Sequence, residues 1–445
     1  MRTSTLATAA LAIGLASATP TKSTPAEKVK RASAPAVSAS GNAFWADGER
    51  FYIRGMDYQP GGESDSGDPL SDETICDRDV AAFADLGINT IRVYIVDNSA
   101  DHDYCMNKLA ENGIYLILDA NNPKYSINRA EPGPSYNAMY LQSVFATIDA
   151  FAKYDNTLGF FSGNEVINDE EDFDTTLAAP YVKATTRDMR KYIKAQGYRS
   201  IPVGYSAADV SSNRIQTAEY FNCGTDEERS DFFAFNDYSW CKSDFKTAGW
   251  DVKVKNFTDY GLPIFLSEWG CTANGRDFNE LSALNSDKMT GVYSGGLMYE
   301  YTVEDSGYGI AKVVSDSEIE TTDEYDLFKE ALAEYPAPTG DGGAASTTHA
   351  VDCPPQSDDW SVDPDSSLPA MPSGAEKYLE NGAGDGPGLT GSGSQTAGSD
   401  AEAEDNGDSS SSDEEDENAS GRIQPGRVAV TGFVAAVVAG GFALL

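Results

Sequence analysis

The chain has 445 residues, with 32 Lys and Arg set against 71 Asp and Glu, a formal charge of −39. No basic block stands anywhere along it, which excludes a nucleic-acid binder and makes polyanions poor partners, so a neutral substrate is expected. Apolar residues at 40% and aromatics at 11% are enough for a full-sized core, which excludes wholesale disorder, and two histidines are too few for a His-rich zinc site. No metal and no cofactor is expected, and a Ser-His-Asp triad would have to rest on His102 alone.

The chain opens on one positive charge (Arg2), an apolar run over 6–16 and Ala16-Ser17-Ala18, the layout of a secretory signal peptide spanning residues 1–18. A leader over 19–39 follows, with Lys30-Arg31 as a dibasic pair. From there, apolar and β-branched runs alternate with helix-period segments. Strands are predicted over 51–58, 90–96, 114–120, 158–165, 201–205, 232–238, 263–269 and 296–301. Helical patterns fall at 74–86, 139–153, 181–196, 243–260 and 323–335. Near-continuous apolar strands read as parallel strands buried on both faces, and eight βα units in this length are the arithmetic of an α/β, (β/α)8 TIM barrel over 40–353.

Residues 354–418 form a Ser/Gly/acidic stretch with few large apolar groups, expected to be a disordered spacer. Within it, Gly386-Pro387-Gly388-Leu389-Thr390-Gly391 matches a dinucleotide fingerprint in form. No strand precedes it and no helix follows, so NAD binding is rejected. The small triplet Asn418-Ala419-Ser420, a polar spacer and an uncharged tail over 428–445 make a GPI-attachment signal. Asn418 is the attachment site, Ser420 the alternative, and 419–445 the segment removed. A secreted protein held at the plasma membrane by a GPI lipid and facing the cell wall is expected, as a monomer. Cys76, Cys105, Cys223, Cys241, Cys271 and Cys353 are even in number without a CxxC pair, so three disulfides are expected among 15 possible pairings. Asn256-Phe257-Thr258 is a glycosylation sequon.

A barrel of this kind collects its chemistry at strand C-termini. Asn164-Glu165 ends the fourth strand and Glu268-Trp269 the seventh. A Glu closing an apolar strand is costly unless used or paired. Two of them on opposite sides of a barrel mouth suit retaining glycosidic-bond cleavage, which needs two carboxylates about 5–5.5 Å apart, one acid/base and one nucleophile. Asn164 is placed to hold a sugar 2-hydroxyl, and Tyr94, Tyr238, Tyr299 and Tyr308 offer stacking faces.

The wider set of motifs is YQPGG (58–62), RVY (92–94), LILDA (116–120), SGNEV (162–166), YSAAD (205–209), NDYSWC (236–241), SEWGC (267–271) and YEYTVE (299–304). Spread over all eight units of about 40–340, it resembles the fungal β-1,3-glucanosyltransferases of glycoside hydrolase family 72. The resemblance implies internal cleavage of a β-1,3-glucan, a glycosyl-enzyme, and transfer to the non-reducing end of another β-1,3-glucan. It implies Glu165 as acid/base and Glu268 as nucleophile. It also implies sugar contacts from Tyr94, Asp119, Asn121, Asn128, Arg129, Asn164, Asp209, Arg214, Tyr238, Tyr299 and Tyr308. The implied disulfides are Cys76–Cys105, Cys223–Cys353 and Cys241–Cys271. The cysteine-rich carbohydrate-binding module of some members is replaced here by the acidic stretch, which leaves the grip on glucan to the barrel cleft. An endo-β-1,3-glucanase with the same carboxylates is the alternative, and a non-catalytic glucan-binding wall protein is disfavoured because both carboxylates are present.

Overall fold

Eight apolar runs form the strands β1 (Ile53–Asp57), β2 (Thr90–Val93), β3 (Tyr115–Asp119), β4 (Thr157–Asn164), β5 (Val203–Ala208), β6 (Phe232–Asp237), β7 (Ile264–Trp269) and β8 (Tyr293–Met298). Each pairs in parallel with the next and β8 returns to β1, which closes the barrel. This computed structural model describes residues 34–62, 67–170 and 172–403. All five residues of β3 are buried because both faces are covered. Leu116 and Leu118 turn outward to the helices, while Ile117 turns inward to Leu158, Phe161, Phe232 and Phe265. Each such buried side chain contributes about 1.5–3 kcal/mol of hydrophobic free energy. Close strand contact demands glycine at Gly295: with φ of 88°, a Cβ there would lie 2.0 Å from the Ile53 carbonyl oxygen.

The helices form where pattern and caps agree. Glu73–Leu86 starts at Asp72, whose carboxylate accepts from the Thr74 and Ile75 amides, and stops at Gly87 with φ of 73°. The expected helix over 243–260 is shorter, Trp250–Asn256. Asp244 instead accepts from the Lys246 and Thr247 amides and folds a turn, and Gly249 at φ 73° breaks the run before Trp250. Cys76–Cys105, Cys223–Cys353 and Cys241–Cys271 are the three disulfides. Asn256 is exposed.

Two domain boundaries are corrected. The folded part begins ahead of residue 40: Val37–Ser40 joins Ala43–Ala46 and Glu49–Phe51 in a small antiparallel sheet. Ala34 and Val37 are buried with Phe44 against the starts of the barrel strands, so residues 34–39 are not leader. Phe44 meets Phe232 and Phe265 at 5.8 and 5.9 Å, which stoppers the N-terminal end of the barrel.

The second correction concerns the stretch read as disordered spacer. Residues 354–403 lie against the barrel's outer helices and mouth. Trp360 is fully buried beside Tyr220, and Tyr378, on the short helix Glu376–Asn381, meets the edge of Phe145. Gln142 donates to the Ala383 and Asp385 carbonyls, and Gln196 to those of Tyr378 and Leu379. A few seated aromatics and side-chain amides that satisfy its backbone offset the ordering entropy that composition alone suggests is prohibitive. The expected signal peptide, Lys30-Arg31, the acidic run over 404–418, the expected attachment site Asn418 and the segment 419–445 lie outside the described residues.

Candidate active site

Strand ends bring the two glutamates to the mouth. Glu268, on β7, is 6% exposed. Its Oε1 accepts from Arg92 Nη1 at 3.1 Å and from the Tyr94 hydroxyl at 2.8 Å, and its Oε2 from the Tyr238 hydroxyl at 2.7 Å. Glu165 follows β4 with φ of 47°. Its Oε1 accepts from Asn236 Nδ2 at 2.8 Å and its Oε2 from Asn168 Nδ2 at 3.2 Å. Asn236 stands in register with Glu268 across the β6–β7 ladder, so one amide links the two carboxylates' surroundings. Below it, the Ser267 hydroxyl donates to Asn236 Oδ1.

Asn164 Oδ1 accepts from Ser206 Oγ at 2.8 Å and Asn236 Nδ2 at 3.1 Å. These contacts fix the amide orientation and leave its NH2 group to donate into the cleft. A cavity of about 310 Å3 opens there and gathers six of the expected residues: Tyr94, Asp119, Asn121, Asn128, Arg129 and Asn164. Tyr238, Tyr299 and Tyr308 form a triangle of edge contacts, with ring centres 5.4–6.2 Å apart. Asp209 and Arg214 are placed differently. They pair with each other, and Lys253 bridges Asp209 to the buried Asp237 at 2.6 and 2.5 Å. Neither lines the cavity. His102 is buried and bonded to Asp68 at 2.6 Å.

Arg92 is the residue that sequence reasoning missed. Its side chain is fully buried, bonded to Asp119 through Nε at 2.9 Å and to Glu268, with its guanidinium over the Tyr94 and Phe161 rings at 4.2 and 4.5 Å. Burial opposes its charge, yet Asp119, Tyr94, Glu268 and Asp57 outweigh that cost and hold it well above the ordinary guanidinium range. An Arg inside the strand Thr-Ile-Arg-Val was the available signal, since a buried cation requires anions nearby. Burial and the Glu268 charge raise the Tyr238 hydroxyl well above its ordinary range, which keeps it a donor. Among the described residues no His/Cys/Asp/Glu group could hold a metal ion.

A closed parallel barrel with two strand-end glutamates at one polar mouth, one of them beside a buried arginine and two phenols, is the constellation of a barrel enzyme of the glycosidase class. The chain belongs to the glucanosyltransferases of glycoside hydrolase family 72, whose family model matches residues 26–336. It is 58% identical over 386 residues to the 1,3-beta-glucanosyltransferase gel1 of Aspergillus fumigatus, covering 86% of this chain and 83% of that one. It is 52% identical over 359 residues to GAS5 of Saccharomyces cerevisiae, a 1,3-beta-glucanosyltransferase, covering 79% and 73%. A mutant of Saccharomyces cerevisiae Gas2 in complex with laminaritetraose and laminaripentaose superimposes with a TM-score of 0.70 at 36% identity, over 76% of this chain and 75% of that one.

Proposed function

We propose that this enzyme elongates β-1,3-glucan by retaining transglycosylation, with Glu268 as nucleophile and Glu165 as acid/base. The observation that carries this assignment is the contrast between the two carboxylates: a cation and two phenol hydroxyls donate to that of Glu268, whereas neutral amides donate to that of Glu165, Arg129 bonding its backbone carbonyl instead. In the first step a Glu268 oxygen attacks the anomeric carbon, and the Glu165 carboxyl gives its proton to the departing glycosidic oxygen. The part of the glucan carrying the old reducing end leaves, and the rest remains as an ester on Glu268. In the second step Glu165 takes the proton of an acceptor glucan hydroxyl, which attacks the same carbon and frees Glu268. Asn164 donates to the 2-hydroxyl, a contact that strengthens in the transition state.

Transfer requires a sugar hydroxyl to outcompete water, and positioning replaces the entropic cost of that encounter. The tyrosine triangle offers preformed stacking faces for this purpose. The product pattern decides. Purified protein without its C-terminal signal is incubated with a reduced laminari-oligosaccharide and the products are separated over time. Products longer than the starting sugar are expected. Only shorter products at high acceptor concentration would establish an endo-β-1,3-glucanase, and no change would leave a glucan-binding wall protein. A surface location through a lipid on Asn418, as a monomer, completes the proposal. Release of the cell-bound protein by a phosphatidylinositol-specific phospholipase supports the lipid, and retention refutes it.

A further inference from the structure

The Gly-rich run that imitates a dinucleotide fingerprint has a different use in this fold. The Gly388 amide donates to Asn98 Oδ1 at 2.9 Å, in the loop after β2. Lys124 Nζ, in the loop after β3, donates to the Leu389 carbonyl at 2.6 Å. The Ser394 amide donates back to the Lys124 carbonyl at 2.9 Å, and Asn137 donates to the Ser394 and Gly398 carbonyls. Residues 386–398 thus strap together the two loops that follow β2 and β3, beside Tyr94 and the cleft loop 121–129.

One strap residue reaches the cleft. Gln395 lines the same cavity as Tyr94, Asp119 and Asn164. Its Nε2 donates to the Pro123 carbonyl at 3.0 Å and also bonds Ser126 Oγ, which fixes the amide orientation. Among the described residues its Oε1 has no hydrogen-bond partner. A half-buried amide in the cavity lining, with both donors anchored on the cleft loop and its acceptor unbonded among the described residues, can receive a hydroxyl. The residue lies well beyond 336, where the family match ends.

We infer that Gln395 and the strap that carries it form an additional sugar subsite on the β2–β3 side of the cleft, in which Gln395 Oε1 accepts a hydroxyl of a neutral glucan chain. The inference rests on the proposed function for the chemistry of its ligand, but its test does not require transfer. Kd is measured by calorimetry in the Glu268→Gln background for a series from laminaribiose to laminariheptaose. Adding Gln395→Met, which keeps length and removes polarity, weakens binding about threefold to tenfold for oligosaccharides long enough to reach the strap, as expected for one lost hydrogen bond. The loss falls away as the sugar is shortened. Gly391→Val provides a second approach, because a Cβ at Gly391 would lie 2.1 Å from the Tyr125 hydroxyl and push the strap off the loop. The same length-selective loss is expected, with thermal unfolding confirming the fold.

An equal loss at every length, or none at any length, in Gln395→Met overturns the subsite. So does a Gly391→Val protein that is folded and binds the longest sugar normally. Length-selective binding by a wild-type enzyme that makes no longer products would refute the transferase reading and leave the subsite standing. No binding of any length would overturn both.

Discussion

Glu268 receives a guanidinium and two phenol hydroxyls, whereas Glu165, three strands away, receives two carboxamides and stands partly open to the cleft. A nucleophile must carry its charge at rest, and a fixed cation with two donors supplies that without any reorganisation. An acid/base must hold a proton in one step and lose it in the next, so neutral neighbours suit it better than a locked ion pair. The backbone differs as well. Glu165 sits in the left-handed region, at a cost on the order of 1 kcal/mol or more for a residue with a Cβ. Arg129 holds it there by donating to its carbonyl at 2.9 Å, and its own amide donates to the Ser206 carbonyl. Two identical side chains are thus given different surroundings, which the proposed assignment turns into different work.

The strongest way to break this contrast is to remove each charge in turn. Glu268→Gln should lower turnover by on the order of 10⁴-fold or more while the protein stays folded and binds oligosaccharides. Glu165→Gln should cost about 10²–10⁴-fold and recover the first step alone, read as a burst of fluoride, with a donor whose leaving group needs no proton, such as a glycosyl fluoride, because the second step still lacks its base. Equal recovery by both variants in that assay would invert or dissolve the assignment. A smaller effect sharpens the picture around Glu268. Tyr238→Phe removes a hydrogen bond to a charged group, about 1.5–3 kcal/mol, and should lower kcat/KM about 10–100-fold without unfolding. A loss below about threefold would mean that Arg92 and Tyr94 suffice.

The smallest effect on turnover is expected at a third carboxyl, Glu280. It is buried, and that burial, assisted by Asp277 and Asp237 and opposed by Arg276, raises its pKa from 4.5 to about 7. The unfolded chain ionises this group near 4.5 while the folded protein keeps it neutral until about 7. Its contribution is therefore fully present below pH 4.5 and is lost as pH rises through 7. Glu280→Gln should gain on the order of 3 kcal/mol relative to wild type by pH 8 and nothing at pH 4, measured by urea unfolding at both values. An identical difference at the two pH values would refute it, and would show that charge-poor burial alone does not set a carboxyl's behaviour in this barrel.

All eight barrel strands and both strand-end glutamates were legible in the sequence, because burial on two faces writes long apolar runs and a terminal charge interrupts them. The supporting groups were not. Asn236 and Asn168 matter through where their amides point, which no spacing records. Asp209 and Arg214 stand at strand and helix ends as a sugar-binding pair would, but Lys253 comes from a helix far along the chain to bind Asp209. The stopper sheet carried a signal that went unused: Asp47-Gly48, both at positive φ, is a hairpin turn between Ala43–Ala46 and Glu49–Phe51. The strap was hidden for a different reason. Its composition matches that of a disordered chain, and its order comes from partners such as Asn98, Lys124 and Asn137 that lie some 260–290 positions earlier in sequence.

The stopper has an effect at the opposite end of the molecule. Phe44 touches Phe232 and Phe265, these touch Phe161, and the face of Phe161 lies under the Arg92 guanidinium. This aromatic column works as electrical insulation: packed apolar rings are far less polarisable than solvent, so the field of Arg92 is screened little on that side and is felt strongly by Glu268. Residues 34–51, at the barrel end opposite the two glutamates, therefore help to set the voltage at which the proposed nucleophile operates.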